Sequence, residues 1–91
     1  MKRKPTKSRV DLRKMTLTVK DLSEVKYLGL AYQKDRKIEI HSGQNSQEFL
    51  DTTLHECLHL MLPDLSEMRV IKMANKLSSI LWRLNYRRIM K

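Results

Sequence analysis

Ninety-one residues suffice for one domain with a modest core, and no apolar run is long enough to span a bilayer. A single cysteine, Cys57, excludes an internal disulfide, and no hydrophobic segment follows the basic N-terminus, so a soluble cytoplasmic protein without signal peptide or membrane anchor is expected. The formal charge of +9 is uneven: residues 1–20 hold eight bases and one acid, residues 21–68 four bases and nine acids, and residues 69–91 seven bases and no acid. The two ends are basic and the middle acidic, a balance that suits polyanion partners such as nucleic acid, the ribosome or acidic protein surfaces, or that serves to keep a small protein soluble.

Residues 1–9, Met-Lys-Arg-Lys-Pro-Thr-Lys-Ser-Arg, have no apolar period and are expected to form a basic flexible arm ahead of one domain over residues 10–91. Met15, Leu17 and Val19 alternate as in a strand over residues 15–20, and the spacing of Leu22 and Val25 suggests a helical turn over residues 21–25. Two apolar segments, residues 27–33 and 36–41, flank Lys34 and Asp35 as the arms of a hairpin would. In the second arm Ile38 and Ile40 point one way, and Lys37, Glu39 and His41 the other. The polar break at residues 42–46 ends in Ser46, a suitable cap for a helix over residues 46–62 that Pro63 and Asp64 stop. Asp64-Leu65-Ser66-Glu67 has the form of a capping box opening a second helix over residues 65–86, with Val70, Met73, Ala74, Leu77, Leu81 and Leu84 as its apolar stripe. Lys72, Lys76, Arg83 and Arg87 fall toward its solvent side, and Trp82 and Tyr86 read as packing residues. The fold class is therefore α+β: a small antiparallel sheet of two or three strands, then two helices.

The chemistry is concentrated in the first helix, where His55-Glu56-Cys57-Leu58-His59 places two imidazoles one turn apart on one face. Both can reach one metal ion, and Glu56, about 100° further round, can take a proton from a water held there. Leu50, Leu54, Cys57, Leu58 and Met61 form an apolar arc, and Thr52, His55, Glu56 and His59 a chemical one. Cys57 thus reads as a small buried hydrophobe. A catalytic zinc commonly takes three protein ligands and a water. Glu67, on the same side of its helix as Val70, Ile71 and Ala74, is the preferred third ligand, with Asp64 and His41 as alternatives.

His-Glu-x-x-His followed by Glu67-x-x-Val70-x-x-x-Ala74-Asn75 resembles a very small gluzincin-type zinc metallopeptidase, similar to the minigluzincins, the SprT-like and ImmA/IrrE-like peptidases and short phage-encoded proteins of this type. The resemblance covers residues 27–84 and makes residues 10–91 a minimal zincin-like domain. It implies Zn2+ held by His55, His59 and Glu67, with Glu56 as general base in peptide-bond hydrolysis. In those families a strand before the signature helix pairs with an extended protein or peptide substrate, which maps to Arg36–His41 and thus to Ile38, Glu39, Ile40 and His41. Leu62 and Leu65 stand where the metzincins have glycine and a third histidine, and Leu65 likewise separates the chain from the zinc endonucleases of ribosomal RNA. Tyr27, Tyr32, Arg36 and His41 are of residue types able to stabilise an oxyanion, and the sequence singles out none of them. Two other functional classes remain: a basic nucleic-acid- or ribosome-associated module with a structural or relict zinc site, and an inhibitor or assembly protein that binds through the Arg36–His41 edge.

Overall fold

A computed structural model describes residues 14–86; the expected basic arm and Arg87 lie outside them. Three strands and two helices follow one another: β1 (Thr16–Lys20), β2 (Gly29–Tyr32), β3 (Lys37–His41), α1 (Ser46–Met61) and α2 (Glu67–Arg83). The α+β class is as expected, but the sheet is mixed. Its order is β1-β3-β2, with β2 antiparallel to β3 and β1 parallel to it.

The connection between β1 and β2 explains that order. Leu22 is buried, its carbonyl accepts from the amides of Val25 and Lys26, and Lys26 takes a left-handed φ of 62°. The expected helical turn is this tight turn at residues 23–26. The Leu22 amide also donates to His41 Nδ1 (3.0 Å), which pins the connection across the end of β3. The chain thereby passes over the site β3 will occupy, and the β2–β3 hairpin returns it between the other two strands. At the hairpin tip the Arg36 amide donates to the Gln33 carbonyl and Arg36 adopts φ 51°, closing the turn around Lys34 and Asp35.

α1 is the central layer. One side packs on the sheet, where Ile38, Ile40 and Leu60 are fully buried with Met15, Phe49 and Cys57 against them. Another packs on α2, where Leu58 meets Val70 and Ala74, flanked by Leu54 and Leu65. The expected apolar arc is corrected accordingly: Leu60 is buried and Met61 exposed, because the sheet lies against the Phe49–Leu60 side of the helix. α1 covers β2 and β3, so Leu17 and Val19, in register beside Ile38 and Ile40, stay exposed.

α1 starts at Ser46 as expected but has a different cap, and α2 starts two residues later than expected. Asn45, not Ser46, caps α1: its side chain accepts from the Glu48 amide (2.9 Å), and Glu48 accepts in return from the Asn45 amide (3.4 Å). α2 is capped by Ser66, whose hydroxyl accepts from the Arg69 amide, so the box between Asp64 and Glu67 does not form. Asn85, at φ 68°, ends α2 in a left-handed cap with Tyr86 N donating to the Leu81 carbonyl, three residues earlier than the spacing suggested. α2 packs only along Val70, Ala74 and Ser78, which leaves Met73, Leu77 and Leu84 outside the core they were expected to join.

On the sheet face away from the helices, Glu39 is buried, accepts from the Tyr32 hydroxyl (2.9 Å) and lies 3.5 Å from Lys20 Nζ. The Tyr32 hydrogen bond, with Lys20 and Lys37 nearby, holds the Glu39 carboxyl below its ordinary value of 4.5 despite burial. Because the folded-state value lies below the unfolded one, ionised Glu39 stabilises the fold above about pH 4.5, and this contribution is lost as pH falls through the folded value. Glu39→Gln is expected to flatten the fall in melting temperature between about pH 5 and pH 3, measured by circular dichroism.

Candidate metal centre

His55 and His59 project from one side of α1 with ring centroids 4.8 Å apart at 66°. Their Nε2 atoms are 3.1 Å apart. The chain then turns back: the Leu62 amide still bonds Leu58, Pro63 prevents continuation, and Leu65 N bonds the Leu62 carbonyl. That reversal brings the first turn of α2 beside the histidines. Glu67 Oε1 lies 2.8 Å from His55 Nε2 and Oε2 lies 2.7 Å from His59 Nε2. Ligand atoms of all three residues fall within 4.8 Å of one another.

This donor set fits a cation. A neutral imidazole carries one proton, and two Nε2–H groups facing each other across 3.1 Å would repel. A metal ion would replace both protons and leave two lone pairs and a carboxylate converging on one positive centre. Tetrahedral donors at zinc distances stand ~3.3 Å apart, close to the separations found here. The histidines are half-buried and the Glu67 side chain is 61 % exposed, so the carboxylate closes the group from its solvent side rather than from the inward face expected for it.

Glu56 is on the neighbouring face of α1, against β2, and only 9 % exposed. Burial pushes its carboxyl above the ordinary value; His55 and His59 pull it down, and Glu67 pushes it up again. Space for Glu56 depends on Gly29. A Cβ there would stand 2.8 Å from Glu56 Cγ and 2.8 Å from Thr52 Cγ2. Thr52 donates to Gln44 Oε1 (2.6 Å), and Gln44 Nε2 donates to the carbonyls of Leu28 and His41, which fixes α1 to the end of β2 and to β3. Gln33 Nε2 donates to the His59 carbonyl (3.0 Å) and ties the hairpin tip to the same helix.

Leu28, Gly29, Asp51, Thr52, His55 and Glu56 line a cleft of about 260 Å³. Three of them, Leu28, Asp51 and Thr52, also line an adjoining cleft of about 360 Å³ that reaches Asn75 and Ser78 of α2. Ser78 donates to Asp51 Oδ1 (3.2 Å).

Of the residues singled out by sequence, His55, Glu56, His59 and Glu67 come together. Asp64 and His41 stay outside the group, His41 being engaged by the Leu22 amide. The Tyr32 hydroxyl is taken by Glu39 on the opposite face of the sheet. The substrate role expected of Ile38, Glu39, Ile40 and His41 through strand pairing is corrected: β3 is the central strand, bonded on one side to β1 and on the other to β2. Ile38 and Ile40 are fully buried, so no peptide can pair there. The same topology removes the edge through which an inhibitor or assembly protein was expected to bind. Among the described residues, the unpaired edge beside Glu56 belongs to β2. Cys57 packs against the Ile38–Ile40–Leu60 cluster, and burial pushes its thiol up, as suits an apolar role.

Gly29 and Gln44 were not singled out by sequence reasoning, and Thr52 was placed on the chemical arc of the helix without its bond to Gln44. For Gly29 a signal existed: a glycine within an apolar strand pattern marks close approach of another element. Gln44 and Thr52 are eight residues apart across a helix cap, a relation that no local pattern encodes.

Gly29→Ala forces β2 and α1 apart. The expected loss is about 1–3 kcal/mol, read as a lower midpoint in urea unfolding, and it should shrink when Glu56→Ala removes one of the two obstructing groups.

Comparison with protein-family models, with curated proteins and with solved structures finds no match to this chain.

Proposed function

We propose that the chain is a zinc-dependent metallopeptidase, with Zn2+ held by His55, His59 and Glu67 and with Glu56 as general base. The observation that carries this reading is the convergence of two imidazole Nε2 atoms and one carboxylate, with a second, buried carboxylate on the next face of the same helix. Bound there, the ion supplies Lewis acidity, making a water nucleophilic near neutral pH and polarising a carbonyl.

The chain's own groups do the rest. His55 and His59 would hold the ion through neutral imidazole nitrogens and Glu67 would contribute one negative charge, which would leave a bound divalent ion with net positive charge. Glu56 is positioned to accept a proton and hand it to a leaving amine, a task helped by a carboxyl shifted upward by burial. The free edge of β2 gives an extended peptide a row of main-chain partners beside Glu56, in place of the central β3. The clefts continuing from Glu56 along α1 to Asn75 and Ser78 offer room for its side chains.

Elemental analysis is expected to find one zinc per chain, lost in His59→Ala and weakened in Glu67→Ala. Zinc at about a hundred times its dissociation constant should add ~2.7 kcal/mol of stability to the wild type. Absence of metal after zinc is supplied would remove the proposal's foundation.

Glu56→Gln separates base from ligand: it should retain zinc and lose hydrolysis of an unstructured protein substrate such as casein. A variant cutting at the wild-type rate overturns the role of Glu56. The metal-free proteins carry a further signature. Because the folded-state value of Glu56 is raised, its ionised form opposes folding above that value. Metal-free Glu56→Gln is therefore expected to melt at a higher temperature than metal-free wild type at about pH 7.5.

A further inference from the structure

Helix α2 has two apolar strips, of which the fold uses one. Val70, Ala74 and Ser78 are buried against α1. Met73, Leu77, Ile80 and the cap residue Leu84 are 38, 40, 54 and 63 % exposed. They follow one another at intervals of four, three and four, the spacing of a heptad seam. At ~100° per residue they fall within an arc of about 60°, roughly a quarter-turn from the buried strip. Glu67 falls within the buried strip, between Ala74 and Ser78, roughly 110° round from the middle of the seam, so the candidate metal centre is on the α1-facing side of the helix and the seam is directed away from it. Arg69, Lys76 and Arg83 recur every seventh residue along the outer flank of the seam, with Lys72 beyond them.

We propose that this seam docks one amphipathic helix of a protein partner, apolar along its own seam and acidic along the flank that meets Arg69, Lys76 and Arg83. Width and charge select this occupant. So narrow a strip matches a single helix, whereas a helix lying in a membrane surface presents a broader apolar face with aromatic side chains. A second copy supplies no complement. In an antiparallel pair the basic row meets itself; in a parallel pair it meets Ala74 and Leu81. The one acid of α2, Glu67, is held by the histidines. Nucleic acid would satisfy the basic row and leave four apolar side chains in water. A partner helix with acids at its flank satisfies both features at once.

The probe is a pair of synthetic peptides about four heptads long, with leucine at both seam positions and either glutamate or lysine at both flanking positions. Isothermal titration calorimetry with the full chain is expected to show binding of the glutamate peptide and none of the lysine peptide, with affinity falling about tenfold or more between ~0.05 and ~0.5 M salt. Ile80→Asp should abolish binding. The double variant Lys76→Glu and Arg83→Glu should reverse the preference toward the lysine peptide. These side chains are exposed, and circular dichroism melts establish that each variant folds. His59→Ala should bind the glutamate peptide as the wild type does, so the result is independent of metal and of hydrolysis. Failure of the glutamate peptide to bind, or equal binding of both peptides, overturns the proposal. So does self-association in sedimentation that Ile80→Asp removes, or capture by phosphatidylserine-containing vesicles with the same sensitivity.

Discussion

The Glu67 carboxylate, spanning the Nε2 atoms of His55 and His59 at 2.8 and 2.7 Å, sets the relation between the two helices. Glu67 is the first residue of α2, so its position depends on where the turn after Met61 ends. With Ser66 as cap, Glu67 is released from any capping duty and its side chain can reach across to α1. Behind it, Leu58 packs against Val70 and Ala74 and holds the helix crossing that keeps the carboxylate in place. Polar junction and apolar packing are thus two ends of one contact. The backing on the other side of α1 is supplied by the sheet, through Ile38, Ile40 and Leu60, so the histidines stand on a helix braced from two directions.

Much of this was legible because it is local. The one-turn spacing of His55 and His59, the stop at Pro63 and the alternation of Ile38 and Ile40 follow from periodicities of helix and strand that neighbouring residues express by themselves. What escaped was decided at a distance or between near-equal local choices. Asp64 and Ser66 are both good caps, and tertiary packing of α2 on α1 chose the second. The parallel pairing of β1 depends on Leu22 being buried and bonded to His41, nineteen residues away, and that relation turned β3 from an expected edge into the centre of the sheet. Leu60 and Met61 are equally apolar; only the placement of the sheet decides which is buried. On α2 the apolar period was read correctly as a stripe, but with one packing partner available the helix could bury only part of it.

Charge is distributed along the same division. Three acids of the middle segment gather on one side of α1, Asp51 and Glu56 in the cleft wall and Glu67 against the histidine pair, whereas α2 beyond Glu67 carries bases alone. A cation entering the groove meets negative potential, and an anionic surface approaching the back of α2 meets positive potential. The two can act without competing for the same face.

The candidate centre also lies within a single short stretch of chain. His55, Glu56, His59 and Glu67 span residues 55–67, whereas β1 finds its partner β3 only after the chain has passed through β2. Closing the helical hairpin costs little loop entropy; adding β1 requires a longer excursion and gains a strand whose Leu17 and Val19 remain in water. Opening of the molecule should therefore begin at β1, with amide protons there exchanging first, while the helix pair and its cluster of ligands persist as the last unit to come apart.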